Sequence, residues 1–438
     1  MTDLAHPQGN GLRPDGPSPL RSTELLARRG EALDLSRLLA RSRSAELSVA
    51  GDPELEHLTF GILPLTDCAP IVIAHEKKLF ERSGITSSVA KFGSWTASRD
   101  GLLSGRAHAA QMLFGMPVAA AVGKLGTEHR PLVIPWILNR NGQAITISVR
   151  HSRRVSSSAR ELRAFAQECR EKGRPMVFAM TLQPGTHAMW LRYWLASGGI
   201  NPDLDVALIT IPPPMMVANM RAGRLDGFCA GEPWNVRAIE EELGFTAVLS
   251  EEIWPDHPEK VLAFTEDFSE AHPNSVKAAL KALHEASLWC DEESNRDELA
   301  AILEQPQYLA CPAGTIKSRL GPMVDCASGR TAQNLRGLTF SRRECNYPQP
   351  KFAVWWLSQF RRWGMLAAAP DYLGVATRVM RPDFYEAAMN ELGIPQGRPE
   401  FTSETLLDGK VFDPAQPEKY AADFEITALK KKPELHES

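Results

Sequence analysis

From His57 onward, hydrophobic and polar positions fall into two alternating textures. LTFGIL (58–63), ITSSVAKFG (85–93) and AHAAQMLF (107–114) are short apolar runs bounded by turn residues, which predicts strands. Between them, PIVIAHEKKLFERSG (70–84), SRDGLLSG (98–105) and PVAAAVGKLG (117–126) read as helices that end on glycine. IPWILNRNGQAITISV (134–149) reads as extended. A second alternating run follows, with helices over 158–173, 186–199 and 215–223 and strands PMVFAM (175–180), DVALITI (205–211) and GFCAGE (227–232). Alternation of this kind predicts α/β architecture, with parallel sheets covered by helices on both faces. LLSGRAHAAQM (102–112) and MRAGRLDGFCA (220–230) repeat one unit: a helix end, Gly-Arg, then a strand. The echo predicts two similar α/β lobes with the chain crossing between them. We place the first part of lobe 1 at 57–145 and lobe 2 at 146–261. A return to lobe 1, with a helical and irregular C-terminal region, fills 262–438. Residues 1–22 are rich in Pro, Gly and Ser, a disordered composition. Leucines among arginines over 23–44 fit an amphipathic helix within an N-terminal extension of residues 1–56.

Composition narrows the function. Apolar residues make up 43% and charged residues 23%, enough apolar content for a sizeable core. Lys plus Arg number 49 against 53 Asp plus Glu, so no global basic surface invites direct nucleic-acid binding. The seven cysteines form no CxxC pair, which points to reduced thiols rather than a zinc site or a disulfide framework. No run approaches the ~18 consecutive apolar residues of a membrane span. The first fifty residues show no apolar core of an export signal. The expectation is a cytoplasmic protein.

Candidate chemistry gathers where strands hand over to helices, since ligands of such folds lie at the carboxyl ends of strands. PMVFAM leads into Pro184 and Gly185, which permit a turn, and Thr186, which can cap the next helix. The first N–H groups of that helix would then favour an anion. His187, in the first turn, suits a neutral N–H donor; a surface histidine at an ordinary helix start is the alternative. Lys260 opens the apolar strand of DHPEKVLAF and can supply a full positive charge, or serve only as a solvated flank. Gln143 follows the Asn141-Gly142 turn, and its amide can donate to an oxyanion. Trp95 follows a strand end and offers a flat apolar wall, or a core position. Asp226 and Glu232 beside His187 could be posed as acid–base groups, but both have structural roles available. No phosphate loop, nucleophile elbow or metal spacing accompanies them. We read no enzyme, no cofactor and no metal.

The blocks GSWTASRD (93–100), NRNGQAITIS (139–148), PGTHAMWLRYWLASGGI (184–200), PPPMMVANMRAGRLDGFCAGEPWN (212–235), HPEK (257–260) and KVFDPAQPEKY (410–420) resemble the nitrate- and bicarbonate-binding proteins related to ABC-transporter solute receptors. The resemblance runs from about residue 57 to 425. It implies a type II periplasmic-binding-protein-like fold with an anion between the lobes. It also implies Trp95, Gln143, His187 and Lys260 as nitrate contacts, with backbone N–H groups of the Gly185, Thr186 and His187 turn. Bicarbonate receptors are similar but carry an acidic residue where HPEK places Lys260, offset by calcium. Without an export signal, the chain resembles the cytoplasmic nitrate/nitrite sensors of the NasS type. That branch implies a NasT-like RNA-binding antiterminator as partner, released when nitrate or nitrite binds, and control of nitrate assimilation genes. The alternative is a nitrate receptor of an ABC transporter.

Overall fold

Two five-stranded sheets organise the chain. The computed structural model describes residues 32–36, 47, 51–126, 130–321, 323–327, 329–333, 335–395 and 401–430. In chain order the sheet strands are β1 (His57–Ile62), β2 (Thr86–Lys91), β3 (Ala109–Leu113), β4 (Leu132–Ile137), β5 (Gln143–Ser148), β6 (Val177–Met180), β7 (Ala207–Thr210), β8 (Gly227–Gly231), β9 (Gly244–Leu249) and β10 (Lys260–Thr265). The first sheet has the order β2-β1-β3-β10-β4 and the second β7-β6-β8-β5-β9. The helices that matter below are α1 (Ala69–Glu76), α2 (Trp95–Leu103), α3 (Gly115–Ala121), α4 (Thr186–Ser197), α5 (Pro273–Asp291) and α6 (Pro350–Arg362).

The sheets are mixed, not parallel as the alternation predicts. In each, the reversed strand is the one that follows a crossing between lobes. β10 runs antiparallel to β3 and β4, and β5 antiparallel to β8 and β9. Periodicity reports burial and is blind to direction, so the reversal leaves no trace in it. The crossings lie at 138–142 and 250–259, a few residues from the expected boundaries. They pair with each other: Leu138 N–H donates to the Lys260 carbonyl (2.8 Å), Glu259 N–H to Asn139 (3.1 Å) and Asn141 N–H to His257 (3.2 Å).

The repeated unit has a common geometry. Gly105 and Gly223 close their helices at φ +75° and +70°, where a side chain would be strained. Their chains then enter β3 and β8, which pair in parallel with β1 and β6. In lobe 1, α5 packs on α1 and buries Val276, Ala279, Leu280 and Leu283. That i, i+3, i+4, i+7 stripe follows from its 3.6-residue period, and each Val or Leu contributes about 1.5–3 kcal/mol.

Two further expectations change. The helix expected over 70–84 is broken: α1 stops at Glu76, Lys78 sits at φ +55°, and Leu79–Arg82 forms a separate turn. The break turns Phe80 inward to stack on Phe60 at 4.3 Å. The C-terminal region also does not stay with lobe 1. Cys326 and Arg330 reach lobe 2, where Thr246 N–H of β9 donates to the Cys326 carbonyl (2.9 Å) and Arg330 pairs with Glu252 (2.6 Å). α6 packs on α3 of lobe 1, while Tyr193 of α4 in lobe 2 donates to Asp408 (2.7 Å). The helix expected over 23–44 lies outside the described residues except for 32–36, where Leu33 is buried and bonds to the Ala415 carbonyl (2.7 Å). No described helix is long and apolar enough to cross a membrane.

Candidate functional site

The reversed strands explain why distant residues meet. A strand that arrives from the other lobe starts at the edge where its parallel neighbours end. Lys260, first in β10, is therefore opposite Leu113, last in β3. Gln143, first in β5, is opposite Gly231, last in β8. Both face the junction between lobes, together with the segment after β1 and the turn after β6. Asn141 and Gly142 hold φ +58° and +85°, the sharp turn that delivers Gln143 there.

Lys260, His187 and Glu259 are all completely buried. The Lys260 ammonium lies 2.9 Å from Glu259 Oε1 and 3.0 Å from Asp67 Oδ2, and 3.5 Å from His187 Nε2. Trp95, at the first turn of α2 behind its Ser94 cap, places its ring centroid 5.6 Å from the ammonium. The Trp95 indole N–H is buried with no hydrogen-bond partner among the described residues. Gln143 Nε2 donates to Asp67 Oδ2 (3.2 Å), so its Oε1 faces His187 Nε2 at 2.8 Å. That arrangement puts the imidazole proton on Nε2 and leaves Nδ1 to accept from the Thr181 hydroxyl (2.6 Å). Glu259 also accepts from the Thr186 hydroxyl and from Trp190 Nε1 (3.0 Å).

The electrostatics follow from burial. Desolvation, reinforced by Lys260, holds His187 well below the usual histidine range, so it is a neutral donor. Desolvation alone would push the Lys260 ammonium down, but Asp67 and Glu259 outweigh it and hold it above the ordinary lysine range. Burial pushes the Asp67 carboxyl up, against the pull of Lys260. The site thus holds one ammonium, two carboxylates and neutral N–H donors, all buried, where each interaction is worth more than in water.

All four side chains read from the sequence, Trp95, Gln143, His187 and Lys260, come together here. Lys260 is a buried cation rather than a solvated flank, and His187 is not a surface residue. The turn differs from expectation. Gly185, not Thr186, is the helix cap, and Thr186 is the first residue of α4 with its hydroxyl turned to Glu259. The Gly185 N–H is taken by the Leu182 carbonyl (3.0 Å), so it is no anion donor. Asp67, Gln111, Thr181 and Glu259 were missed. A carboxylate just past the end of β1 and a glutamine inside an apolar strand were the available signals. The groups posed as acid–base partners sit in structural pairs: Asp226 with His151 (2.6 Å) and Glu232 with Arg319 (3.4 Å). Among the described residues, no three His, Cys, Asp or Glu side chains gather to hold a metal ion.

A profile of the NMT1-like family matches residues 51–304. The nitrate/nitrite binding protein NrtA of Synechococcus elongatus is 37% identical over 391 residues, covering 86% of this chain and 88% of that protein. The chain belongs to the nitrate and bicarbonate solute-binding protein family. Within this family, the crystal structure of the periplasmic nitrate-binding protein NrtA from Synechocystis PCC 6803 matches with a TM-score of 0.82 at 32% identity, over 86% of this chain and all of that one. The two-lobed periplasmic-binding-protein fold is thereby shown. The bicarbonate transport ATP-binding protein CmpC of Synechococcus elongatus is 35% identical over 84% of this chain and 54% of its own length. Nitrate- and bicarbonate-named relatives are thus almost equally similar, and overall likeness leaves the anion to be argued from the site.

Proposed function

We propose that this protein binds nitrate or nitrite between its lobes, at Lys260, Gln143, His187 and Trp95, without a metal ion and without chemical conversion. The observation that carries the reading is the buried Lys260 ammonium at the lobe junction, paired with Asp67 and Glu259 and next to the neutral Gln143 and His187 side chains. Nitrate is planar, singly charged and weakly hydrated. One ammonium, neutral N–H groups and an indole suit it better than a cluster of arginines, which favours phosphate. In bicarbonate receptors the resemblance implies an acid at this position and calcium to offset it. Here Lys260 itself supplies the positive charge. The relatives' names favour a receptor that serves nitrate import, and we take that as the leading cellular role.

The resemblance to sensors of the NasS type supplies a second reading. In it the same body works in the cytoplasm, holds a NasT-like antiterminator, and releases it when lobe closure on nitrate alters the partner surface. Cell fractionation, with co-purification in the presence and absence of nitrate, separates the two roles. Binding itself is tested by thermal unfolding with nitrate, nitrite and bicarbonate, with and without a chelator. Nitrate at a hundredfold excess over Kd should add about 2.7 kcal/mol, unchanged by chelation. Stabilisation by bicarbonate with calcium alone would refute the assignment.

A further inference from the structure

Asp67 lies outside the set read from the sequence, yet it occupies the donors an oxyanion would use. Its Oδ2 takes Lys260 Nζ at 3.0 Å and Gln143 Nε2 at 3.2 Å. Its Oδ1 accepts from Gln111 Nε2, and that amide is held in place because its Oε1 accepts from Leu63 N–H (2.8 Å). A carboxylate and a nitrate are both planar, with delocalised charge on oxygens of similar spacing. The chain has thus placed its own anion on its own anion donors.

Charge balance makes this consequential. Lys260 contributes one positive charge, and Asp67 and Glu259 two negative ones, all at most 2% exposed. A third full anion among them would leave two uncompensated negative charges in a buried site, which buried groups avoid by changing protonation. The charged and titratable groups around Asp67 are few. Lys260 comes from the start of β10, His187 from α4, and His257 and Glu259 from the second crossing. Cys68 is the next residue, and Glu232, paired with Arg319, lies past β8, where its carbonyl accepts from Thr66 N–H (2.8 Å).

We propose that Asp67 is an internal counter-anion and that nitrate binds together with one proton, which Asp67 takes up. This rests on the nitrate reading of the site. The proton comes from solvent and goes to a carboxyl oxygen of Asp67; nitrate is unchanged. Neutral Asp67 no longer competes for the ammonium, and its O–H becomes a donor that the incoming anion can accept. Burial, opposed by Lys260 and assisted by Glu259, already pushes this carboxyl upward. His187, driven the other way by burial and Lys260, is the poorer acceptor. Asp67 is thereby a specificity-determining residue: it sets the affinity for a monovalent anion and penalises a divalent one, which would require a second proton.

The test is calorimetry of the full chain with sodium nitrate in two buffers of different ionisation enthalpy, repeated between pH 6.5 and 8.5. The wild type should take up close to one proton per nitrate, and its Kd should rise about tenfold per pH unit over the upper part of that range. Asp67→Asn should bind nitrate more tightly than the wild type at pH 8.5, take up no proton, and show a flat pH profile. Binding by the wild type with no proton uptake overturns the proposal and leaves the nitrate site standing. Proton uptake that persists in Asp67→Asn assigns the proton to another group, His187 first, and also overturns it. A folded Asp67→Asn that binds more weakly at pH 8.5 overturns it too. If Asp67→Asn does not fold, a wild type that takes up no proton still overturns the proposal, as does uptake that is lost in His187→Ala, whereas uptake retained in His187→Ala upholds it. No heat with nitrate or nitrite at any pH refutes the site reading itself, and the linkage with it.

Discussion

Replacing Lys260 by methionine keeps an unbranched four-atom stem and removes the ammonium. Glu259 Oε1 and Asp67 Oδ2 then lose an ammonium at 2.9 and 3.0 Å, in a cluster at most 2% exposed. Removing one partner of a buried ion pair costs about 3–5 kcal/mol, because the other charge is left behind. A second route to the magnitude agrees. If the cluster responds by protonating one carboxyl, holding a group of ordinary pKa about 3.9 neutral at pH 7 costs about 4 kcal/mol. The same cost falls to about 1.5 kcal/mol at pH 5, where the proton is nearly free. Lys260→Met should therefore lose 3–5 kcal/mol relative to wild type at pH 7, and less than half of that at pH 5. Urea unfolding followed by tryptophan fluorescence measures both values, and the ten tryptophans give ample signal. Adding Asp67→Asn to Lys260→Met should recover part of the loss, since the two residues touch. A deficit below about 1 kcal/mol at pH 7, or one that does not shrink at pH 5, would refute a buried and charged Lys260.

Three further outcomes follow from the geometry. His187→Ala removes a neutral donor and should weaken nitrate binding by about 1–3 kcal/mol, measured by calorimetry, with the fold retained. His187 and His257 are buried neutral, the first held well below the histidine range and the second pushed down to about 3. Their unfolded forms protonate first, so the stability they contribute is full above about pH 6.5 and is lost as pH falls toward the folded values. His257 should lower stability by about 2 kcal/mol between pH 6.5 and 5, His187 should act in the same direction, and His257→Phe should remove the His257 share of that slope. Gly115→Ala would set a Cβ 1.8 Å from the Pro184 carbonyl across the junction between lobes. It should cost at least 1–3 kcal/mol of stability by thermal unfolding, whereas alanine at Gly393, which has open space but φ +71°, should cost only backbone strain.

The fold was legible wherever burial follows a period. The strand and helix segments of both lobes, and the repeated helix-to-strand unit, follow from alternating textures and from glycines that close helices. Strand direction was not legible, because β10 and β5 carry the same apolar content whichever way they run. That miss matters, since the reversed strands are what bring Lys260 and Gln143 to the junction. The four side chains singled out each stand at a strand or helix boundary, a weak signal alone, and it is the family resemblance that joined them into one candidate site. Asp67 stands at one too, but an acid before a proline-initiated helix looks like an ordinary start. Thr186 was misread as a cap because cap preference is local, and the Glu259 carboxylate that claims its hydroxyl is 73 residues away. The bridging role of the C-terminal region depends on contacts such as Tyr193 with Asp408, which no local pattern encodes.

A crystal structure of the protein grown with sodium nitrate and a chelator tests the central claim most directly. The account predicts one planar anion at the lobe junction, within hydrogen-bonding distance of Lys260 Nζ and the side chains of Gln143 and His187, beside the Trp95 ring, with no metal ion near it. An anion bound elsewhere, or a junction in which Asp67 keeps both Lys260 and Gln143 at saturating nitrate, would contradict it.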